Sequence, residues 1–479
     1  MSGSYEQPLF LIDGTWRERG EERPIDVVNP STGQTLASMP SAGARDLAEA
    51  LASASGAQAA WRRQPPQERC ALLLRAAALI RERVTAIATT MSLEQGKPLS
   101  ESRSEVVRAA ELIEWAAEEG RRLYGVTIPA PPDIRYLTFQ EPIGVVAAFT
   151  PWNFPAVAPA RKVGSSLAAG CCCILKPSEL TPGTAVAMVR AFVDAGLPKG
   201  VINLVLGEPR PISTALIESP VVRKVTFTGS VPVGRQLAEL AARHMKPCLM
   251  ELGGHSPVIV FADADLDRVA AASVTTKFRN AGQVCTSPTR FYVESAAYPR
   301  FVELFGAAAA RLVIGPGTDP ATQMGPVASA RRVDALESLV ADAVAAGART
   351  VLGGKRRMGA GSFFEPTVLA DVPTASRIMN EEPFGPVAVF RPFEGLEEAL
   401  EQANALPYGL AAYAFTRSIL TARRVASGLE CGVVGINSFS GSNPETPFGG
   451  VKDSGYGREG GNEGVRAYTT TKFVVEGLL

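Results

Sequence analysis

The chain has 479 residues, of which 46% are hydrophobic and 20% charged, so it has ample apolar side chains for two or three globular domains. Its 48 basic and 48 acidic residues balance, which leaves no net charge to attract nucleic acid or anionic lipid. The first 20 residues carry Glu6, Asp13 and Glu18 without an apolar run, and no later apolar stretch has the length of a membrane span. We therefore expect a cytoplasmic protein without signal peptide or membrane segment.

The cysteines and histidines restrict the kinds of site that the chain can hold. Cys171, Cys172 and Cys173 are adjacent, which makes them poor disulfide partners, and their spacing fits no metal site. Cysteines that fill small apolar positions suit a reducing compartment. His244 and His255 are the only histidines in the sequence, which argues against a histidine-rich metal site and a Cys–His hydrolase. We expect no bound metal.

The first third of the chain is predicted to be helical. Alanine and leucine recur at helical spacing, with charges between them, over residues 46–61, 67–93 and 100–122. Beyond these helices, apolar runs of strand length alternate with helical segments. Because a buried parallel strand is continuously apolar, this alternation predicts an α/β domain with a doubly wound sheet. The predicted strands lie at 142–149, 171–175, 200–206 and 224–227.

A second α/β unit is predicted after residue 254. It contains a helix from about 265 to 279, and its predicted strands lie at 257–261, 290–294, 350–352, 387–391 and 411–416. Two β-rich segments, 124–139 and 467–475, fall outside both units. Exposed strands of this kind are candidates for pairing with another subunit.

A candidate nucleophile lies in the loop of residues 278–286. Cys285 follows Gly282 and Gln283 in a polar segment, which is typical of an accessible reactive thiol. Because the thiolate is the reactive form, we expect surroundings that favour negative charge, with Arg279 nearby. An isolated cysteine is more often an inert core residue, and the glycine-containing context favours the reactive role instead.

A candidate base and a candidate oxyanion donor accompany the thiol. Glu251 precedes two glycines and could take a proton from water; the alternative is a surface glutamate at a strand end. Asn153 lies between two prolines, which hold its amide rigidly; the alternative is an ordinary turn asparagine. A nucleophile, a base and an oxyanion donor are the parts that oxidise an aldehyde through a covalent thioester.

Two strand ends are candidates for binding a dinucleotide. Gly229 and Ser230 follow a strand and open a helix whose N-terminus can hold a phosphate. The segment departs from the G-x-G-x-x-G pattern, and a plain strand-to-helix turn is the alternative. Lys176 can donate to ribose or phosphate, and Glu179 can accept from a ribose diol. A carboxylate there repels a 2′-phosphate, so we expect NAD, with NADP as second choice. Ser178 or Glu179 could instead cap a helix.

Together these segments resemble the aldehyde dehydrogenase superfamily across nearly the whole chain. The resemblance implies an α/β fold with two doubly wound domains, for cofactor and catalysis, and a small β oligomerisation domain that forms a homodimer or homotetramer. It places an NAD-binding domain at 1–251, interrupted by a hairpin at 123–141, then a catalytic domain at 252–445, and a return to the cofactor domain with an oligomerisation tail at 446–479. The matching segments are 151–155, 176–179, 227–230, 251–254, 282–285, 381–386 and 447–450.

The resemblance also implies roles for individual residues. Cys285 would be the nucleophile and Glu251 the general base, while Asn153 and the Cys285 backbone N–H would form the oxyanion hole. Glu382 would bind the nicotinamide ribose, with Phe384 packed near the ring. The other implied cofactor residues are Thr150, Trp152, Lys176, Ser178, Glu179, Gly229 and Ser230.

Within the superfamily the chain is most similar to succinate-semialdehyde dehydrogenases, and closer still to 2-oxoglutarate-semialdehyde dehydrogenases. Arg161, Arg279 and Ser442 stand where broad-range members have aromatics, and the succinate-semialdehyde enzymes use this trio for the distal carboxylate of the substrate. Two arginines in an apolar pocket repel each other unless an anion joins them. The alternative is that either arginine pairs with an acidic neighbour. Ser287 replaces the second cysteine of the animal enzymes, so we expect no disulfide switch.

The expected reaction is the NAD(P)-dependent oxidation of succinate semialdehyde or 2-oxoglutarate semialdehyde to the dicarboxylic acid, through a cysteine thiohemiacetal and a thioester. Three alternatives stay open at this point. The substrate could be another small aldehyde, such as glutarate semialdehyde, or a broad range of aldehydes. The enzyme could pass its thioester to coenzyme A, which Glu251 disfavours. The chain could also be a silent NAD-binding structural protein, which the intact catalytic trio disfavours.

Overall fold

The structure, a computed structural model, describes residues 5–477. Within these residues the chain forms two large α/β sheets, each with its own hydrophobic core, and a smaller antiparallel sheet. The elements up to the end of the first core sheet are β1 (Phe10–Ile12), β2 (Thr15–Arg17), β3 (Glu22–Val28), β4 (Thr35–Ser41), α1 (Ala44–Arg63), α2 (Pro66–Glu82), α3 (Val84–Gln95), α4 (Leu99–Glu119), β5 (Thr127–Ile128), β6 (Ile134–Pro142), β7 (Val145–Phe149), α5 (Val157–Ala168), β8 (Cys173–Lys176), α6 (Pro182–Asp194), β9 (Ile202–Leu204), α7 (Pro209–Glu218), β10 (Val222–Gly229), α8 (Val231–Arg243) and β11 (Cys248–Leu252).

The second core sheet and the C-terminal segment complete the described chain. Their elements are β12 (Pro257–Val260), α9 (Leu266–Phe278), β13 (Arg290–Glu294), α10 (Tyr298–Ala309), α11 (Ala330–Ala345), β14 (Arg349–Leu352), β15 (Thr367–Ala370), α12 (Arg377–Asn380), β16 (Val387–Phe393), α13 (Leu396–Asn404), β17 (Tyr408–Gly409), β18 (Ala411–Phe415), α14 (Ile419–Gly428), β19 (Val433–Ile436), β20 (Val451–Lys452), β21 (Gly455–Tyr456), α15 (Gly461–Arg466) and β22 (Thr469–Gly477). Short 3₁₀ turns follow α4 and α9, at Gly120–Arg122 and Arg279–Gly282.

The first sheet has the strand order β2-β1-β9-β8-β7-β10-β11-β21, and its five central strands are parallel. From β7 the chain moves outward to β8 and β9, then crosses back to β10 on the other side of β7. The strand order therefore reverses between β7 and β10. A crevice opens beyond the carboxyl ends of the strands at such a reversal, and ligands of doubly wound sheets bind there.

The second sheet has the order β14-β15-β16-β13-β12-β18-β19, with every neighbouring pair parallel except β14 and β15. Its inner strands β12, β13, β15 and β18 are almost fully buried because helices cover both faces, while the edge strands β14 and β19 are partly exposed. The predicted doubly wound α/β architecture is thus confirmed. The domain boundaries inferred from the resemblance stay a prediction, and their outermost ends lie outside the described residues.

Two details differ from the sequence predictions. The helix predicted over 67–93 is two helices, because Arg83 leaves the helical region with φ −94° and ψ 11°. Strands β1 to β4 were not predicted. β1 is apolar but has three residues, too few to identify a strand, and the seven residues of β3 include a single buried one.

The two β-rich segments set apart in the sequence pair with each other. β22 runs antiparallel to β6 in continuous register from Thr469 opposite Pro142 to Gly477 opposite Ile134, and β5 adds a third strand. The sheet exposes large apolar side chains, including Phe473 at 55%. No helix in the part of the chain from 5 to 477 is long and apolar enough to cross a membrane.

Candidate active site

A cavity of about 880 Å³ lies where the crevice of the first sheet meets loops of the second unit. It brings together residues from Lys97 to Glu459, which are 362 positions apart in the sequence. Four predicted cofactor residues, Thr150, Lys176, Ser178 and Glu179, do not line it. The predicted site residues that do line it are Trp152, Asn153, Arg161, Gly229, Ser230, Glu251, Arg279, Cys285, Glu382, Phe384 and Ser442.

Cys285 is presented by a strained loop that follows α9. Asn280 and Ala281 have φ values of 50° and 52°, a left-handed conformation that non-glycine residues rarely adopt. Gly282 continues this run with φ 70°, and a Cβ on it would lie 2.1 Å from the carbonyl oxygen of Gly385. Only glycine fits there, so the backbone itself dictates the position of the half-buried thiol.

The electrostatic surroundings of Cys285 oppose the thiolate. Burial, with the carboxylates of Glu382 and Glu251, raises the pKa of the Cys285 thiol to about 12, although Arg161 and Arg279 act in the opposite direction. The expectation of surroundings that favour negative charge is therefore wrong. Two nearby guanidiniums are outweighed by desolvation and two carboxylates, so the resting group is a neutral thiol that must lose its proton to react.

Asn153 is fastened to the cysteine loop at both its side chain and its backbone. Its Nδ2 donates to the carbonyl oxygen of Gln283 at 3.0 Å. Its own carbonyl oxygen accepts from Lys97 Nζ at 2.7 Å and from Asn280 Nδ2 at 3.0 Å. A primary amide has two N–H groups, so one remains to face the cavity. The geometry suits a rigid donor for an oxyanion.

Glu251 stands at the carboxyl end of β11 with its carboxylate buried. Neither oxygen has a hydrogen-bond partner among the described residues. Burial and the neighbouring Glu459 raise the pKa of Glu251 well above its ordinary value, while Lys162, Arg161 and Arg458 lower it. An unpartnered carboxylate with a raised pKa, in a cavity beside a thiol, has the properties of a general base for water.

The Lys162–Glu459 pair beside Glu251 was not predicted from the sequence. Lys162 Nζ lies 2.5 Å from a carboxylate oxygen of Glu459, and both side chains are buried. They are 297 residues apart, so no local pattern connects them. The available signal was a lysine next to Arg161 within α5, a helix otherwise made of small and apolar residues.

Arg161 extends from α5 into the same cavity and is almost completely buried. Its guanidinium carbon lies 4.5 Å from the centre of the Phe448 ring, and its Nη2 donates to Ser442 Oγ. Its Nε and Nη1 have no hydrogen-bond partner within residues 5–477. Nη1 comes within 3.9 Å of Glu459, but that carboxylate already binds Lys162. The acidic-neighbour alternative therefore holds only in part, and two buried donors stay open to an anion.

Arg279 lines the cavity from a different position. Its side chain is exposed, and its guanidinium carbon lies 5.8 Å from the centre of the Phe154 ring. Ser442, the third member of the predicted trio, is also exposed. The structure thus brings the trio to one cavity, with Arg161 buried inside it and the other two exposed to solvent.

The carboxyl ends of β10 and β8 fit a dinucleotide. Ser230 is the N-terminal cap position of α8 and makes no side-chain capping bond, so its hydroxyl and the helix N-terminus are available for a phosphate. On β8, which lies on the other side of β7 in the sheet, Lys176 Nζ is 3.3 Å from a carboxylate oxygen of Glu179. The capping alternative for Ser178 and Glu179 is wrong, because Thr181 occupies the cap position of α6.

Glu382 and Phe384 form the opposite wall of the cavity. A carboxylate oxygen of Glu382 accepts from the backbone N–H of Gly254 at 3.3 Å, and burial raises the pKa of Glu382 to about 8. The Phe384 ring packs edge-on against Trp152, with centroids 5.5 Å apart. A carboxylate next to two aromatic rings suits the ribose and the flat ring of a nicotinamide.

Comparison with known proteins agrees with this geometry. Residues 16–474 match the sequence profile of the Aldehyde dehydrogenase family, so the chain belongs to that family. It is an NAD(P)-dependent dehydrogenase of small-molecule aldehydes, and the resemblance inferred from its motifs is confirmed.

Particular relatives are similar over their whole length. The chain is 52% identical to 4-(hydroxymethyl)benzenesulfonate dehydrogenase TsaD1 from Comamonas testosteroni over 98% of each chain. It is 44% identical to succinate-semialdehyde dehydrogenase [NADP(+)] GabD from Escherichia coli strain K12, over 98% of this chain and 97% of the relative. The crystal structure of succinate-semialdehyde dehydrogenase from Burkholderia pseudomallei superposes with a TM-score of 0.97 at 42% identity, over 100% and 99% of the two chains.

Proposed function

We propose that the protein oxidises a semialdehyde with a terminal carboxylate to the dicarboxylic acid and prefers NAD as hydride acceptor. The observation that carries this proposal is Arg161, a buried guanidinium with two unpartnered N–H groups in the cavity that also holds Cys285. A buried cation is costly unless an anion joins it, and the nearest carboxylate is already bound to Lys162. The substrate's own carboxylate completes the arrangement.

In the proposed mechanism the Cys285 sulfur attacks the aldehyde carbon after losing its proton. The C=O double bond becomes a C–O⁻ single bond, and this oxyanion accepts from the free N–H of Asn153 and from the Cys285 backbone N–H. NAD, held by residues at the carboxyl ends of β8 and β10 and by Glu382, would supply the acceptor for the hydride of the thiohemiacetal carbon. The product on Cys285 is a thioester, in which the former aldehyde carbon has lost two electrons.

Glu251 carries the second half of the reaction. It removes one proton from water, whose oxygen attacks the thioester carbonyl. The C–S bond then breaks, the second proton of the water reaches the sulfur, and the product leaves as a carboxylate while the thiol reforms. The coenzyme A alternative does not need this base, and the buried, unpartnered carboxylate of Glu251 supports hydrolysis instead.

NAD rather than NADP is proposed because of Glu179. Its carboxylate lies 3.3 Å from Lys176 at the end of β8, where the resemblance puts the adenosine ribose. A 2′-phosphate there would be repelled by the carboxylate of Glu179, and Lys176 would not offset this because it is already paired with Glu179. Comparing kcat/KM for NAD and NADP tests this, and a Glu179→Gln variant should shift the ratio towards NADP. A preference for NADP in the unaltered enzyme would contradict it.

A sulfonate is the second candidate for the anionic tail. The relative that is 52% identical is named for a benzenesulfonate, which also presents negatively charged oxygens to a guanidinium. The decisive experiment compares kcat/KM for succinate, glutarate and 2-oxoglutarate semialdehydes, 4-sulfobenzaldehyde and butanal. We expect a semialdehyde to give the largest value. A larger kcat/KM for 4-sulfobenzaldehyde would show that the anionic tail is a sulfonate rather than a carboxylate. A larger kcat/KM for butanal would show that the cavity has no anion site.

We also propose that the three-stranded sheet joins subunits into a homodimer or homotetramer. Phe473 and Val475 share one face of this sheet and are each 55% exposed, and Phe139 is 47% exposed on the other face, an exposure of large apolar side chains that solvent disfavours. Light scattering coupled to gel filtration tests the mass of the particle. A monomer at micromolar concentration would contradict the proposal.

A further inference from the structure

Lys97 lies in the short loop between α3 and α4 and is only 2% exposed. Its ammonium group contacts three groups at once. It lies 2.5 Å from a carboxylate oxygen of Glu105, donates to the backbone carbonyl of Asn153 at 2.7 Å, and stands 4.5 Å from the centre of the Phe154 ring. An ammonium has three N–H groups, so all three have a partner in this arrangement. A lysine buried in this way is fixed in position rather than free to move.

Glu105 extends the same contact to the other end of the loop that carries Asn153. Its second carboxylate oxygen accepts from the backbone N–H groups of Ala156 at 2.9 Å and Val157 at 3.3 Å, where α5 begins. The Lys97–Glu105 pair therefore holds the loop by a carbonyl at one end and by two N–H groups at the other. The orientation of the Asn153 side-chain amide is therefore fixed by a backbone that is hydrogen-bonded on both sides.

Asn280 supplies the second donor to the carbonyl of Asn153, at 3.0 Å. Gln95 orients it, because Gln95 Nε2 donates to Asn280 Oδ1 at 2.7 Å while Gln95 Oε1 accepts from the backbone N–H of Lys97 at 2.9 Å. Asn280 Nδ2 also reaches the carbonyl of Gln283 at 3.3 Å, the group to which Asn153 Nδ2 donates. The loop of the oxyanion donor and the loop of the thiol are thus tied to one cluster behind them.

We propose that Lys97 is a positioning residue that aims the Asn153 amide at the oxyanion, through its bonds to Glu105 and to the Asn153 carbonyl. This inference rests on the proposed function, in which Asn153 stabilises the oxyanion. Lys97 donates to the carbonyl of Asn153, not to the reacting atoms, so it acts through Asn153. Because an oxyanion donor works only at hydrogen-bond distance from the developing charge, a small rotation of the loop is costly.

A double-mutant cycle tests the inference. Lys97→Met keeps the length of the apolar stem and removes the ammonium. We expect kcat to fall by about 10- to 100-fold, less than the about 100- to 1000-fold cost of losing an oxyanion donor outright, while the KM for NAD stays unchanged. Asn153→Ala should reduce kcat by at least as much. In the Asn153→Ala background, Lys97→Met should have no further effect, because the donor that it aims is gone. Lys97→Arg should recover part of the loss.

The matched control is Lys246→Met. Lys246 also donates to backbone carbonyls, those of Ile217 and Ser219, but it does not line the cavity, so kcat should not change. If Lys97→Met does not fold, Asn280→Asp replaces it in the cycle, since it removes the other donor to Asn153 with almost no change of shape. Normal kcat in the Lys97→Met enzyme, or equal losses in both backgrounds, would overturn the inference. Normal kcat in Asn153→Ala would instead overturn the proposed role of Asn153.

Discussion

The proposed function predicts that replacing Arg161 by methionine removes the enzyme's preference for an aldehyde with an anionic tail. Methionine keeps an unbranched apolar stem next to Phe448 and removes the guanidinium, whose Nε and Nη1 are unpartnered in the described structure. We expect kcat/KM for succinate semialdehyde to fall strongly and kcat/KM for butanal to change little. The ratio of the two values is the quantity to measure.

The magnitude follows from the number of bonds that the arginine can make. One hydrogen bond to a charged group contributes about 1.5–3 kcal/mol, and each 1.4 kcal/mol corresponds to about a factor of ten. With two open donors on Arg161, loss of at least one such bond predicts a decrease of about 10- to 100-fold in the ratio. Ser442→Ala is the matched control, because it leaves the guanidinium in place and removes only the hydroxyl to which it donates.

A second effect of Arg161 must be separated from the first. Its charge lowers the pKa of both Cys285 and Glu251, so its removal raises both pKa values further. Higher pKa values slow the oxidation of every aldehyde equally, so the change in kcat/KM for butanal alone measures this second effect. If both substrates lose the same factor, Arg161 serves the catalytic groups and not the tail, and the reasoning is refuted. Steady-state NADH formation at 340 nm, measured across pH 6–9, distinguishes the two cases.

Three other predictions follow from the site. Cys285→Ala should abolish NADH formation while NAD still binds in a fluorescence titration; retained turnover would exclude Cys285 as nucleophile. Because the pKa of Cys285 is raised to about 12, its thiolate fraction grows about tenfold per pH unit below that value, so kcat/KM should rise from pH 7 to pH 9, and a decline would contradict this. Gly449→Ala places a Cβ 2.6 Å from a Glu251 carboxylate oxygen, so rapid-quench kinetics should show a burst of NADH followed by slow turnover; an unchanged steady state would show that Glu251 tolerates the methyl group.

Strands buried inside parallel sheets were the elements most accessible from sequence. The strand predicted at 290–294 coincides with β13, because five consecutive positions suit a strand covered on both faces. Exposed elements carried less information. β3 has one buried residue, and the break between α2 and α3 depends on a single backbone angle at Arg83 that side-chain periodicity does not encode.

The candidate site also contains residues that could be predicted from the sequence and residues that could not. Cys285, Glu251, Asn153 and Arg161 stand in short motifs that resemble a family, and the structure places them around one cavity. The groups that support them could not be predicted. In the sequence Glu105 looks like an ordinary helix charge and Lys97 like an ordinary loop lysine, and they meet Asn153 only because α4 packs against α5. The effect of the neighbouring charges on the pKa of the Cys285 thiol also could not be predicted from the sequence, because it depends on burial and distance.

The charges around Cys285 and Glu251 connect recognition of the substrate with its chemistry. Arg161 is the one group that touches the proposed tail site and also lowers the pKa of the nucleophile and of the base. A carboxylate bound to Arg161 offsets its positive charge, so the pKa of Glu251 rises further when the substrate is in place. A stronger base then faces the thioester, at the cost of a larger protonated fraction at neutral pH. Lys162 does not line the cavity, so a substrate there would leave its pair with Glu459 in place, and its charge would continue to lower the pKa of Glu251.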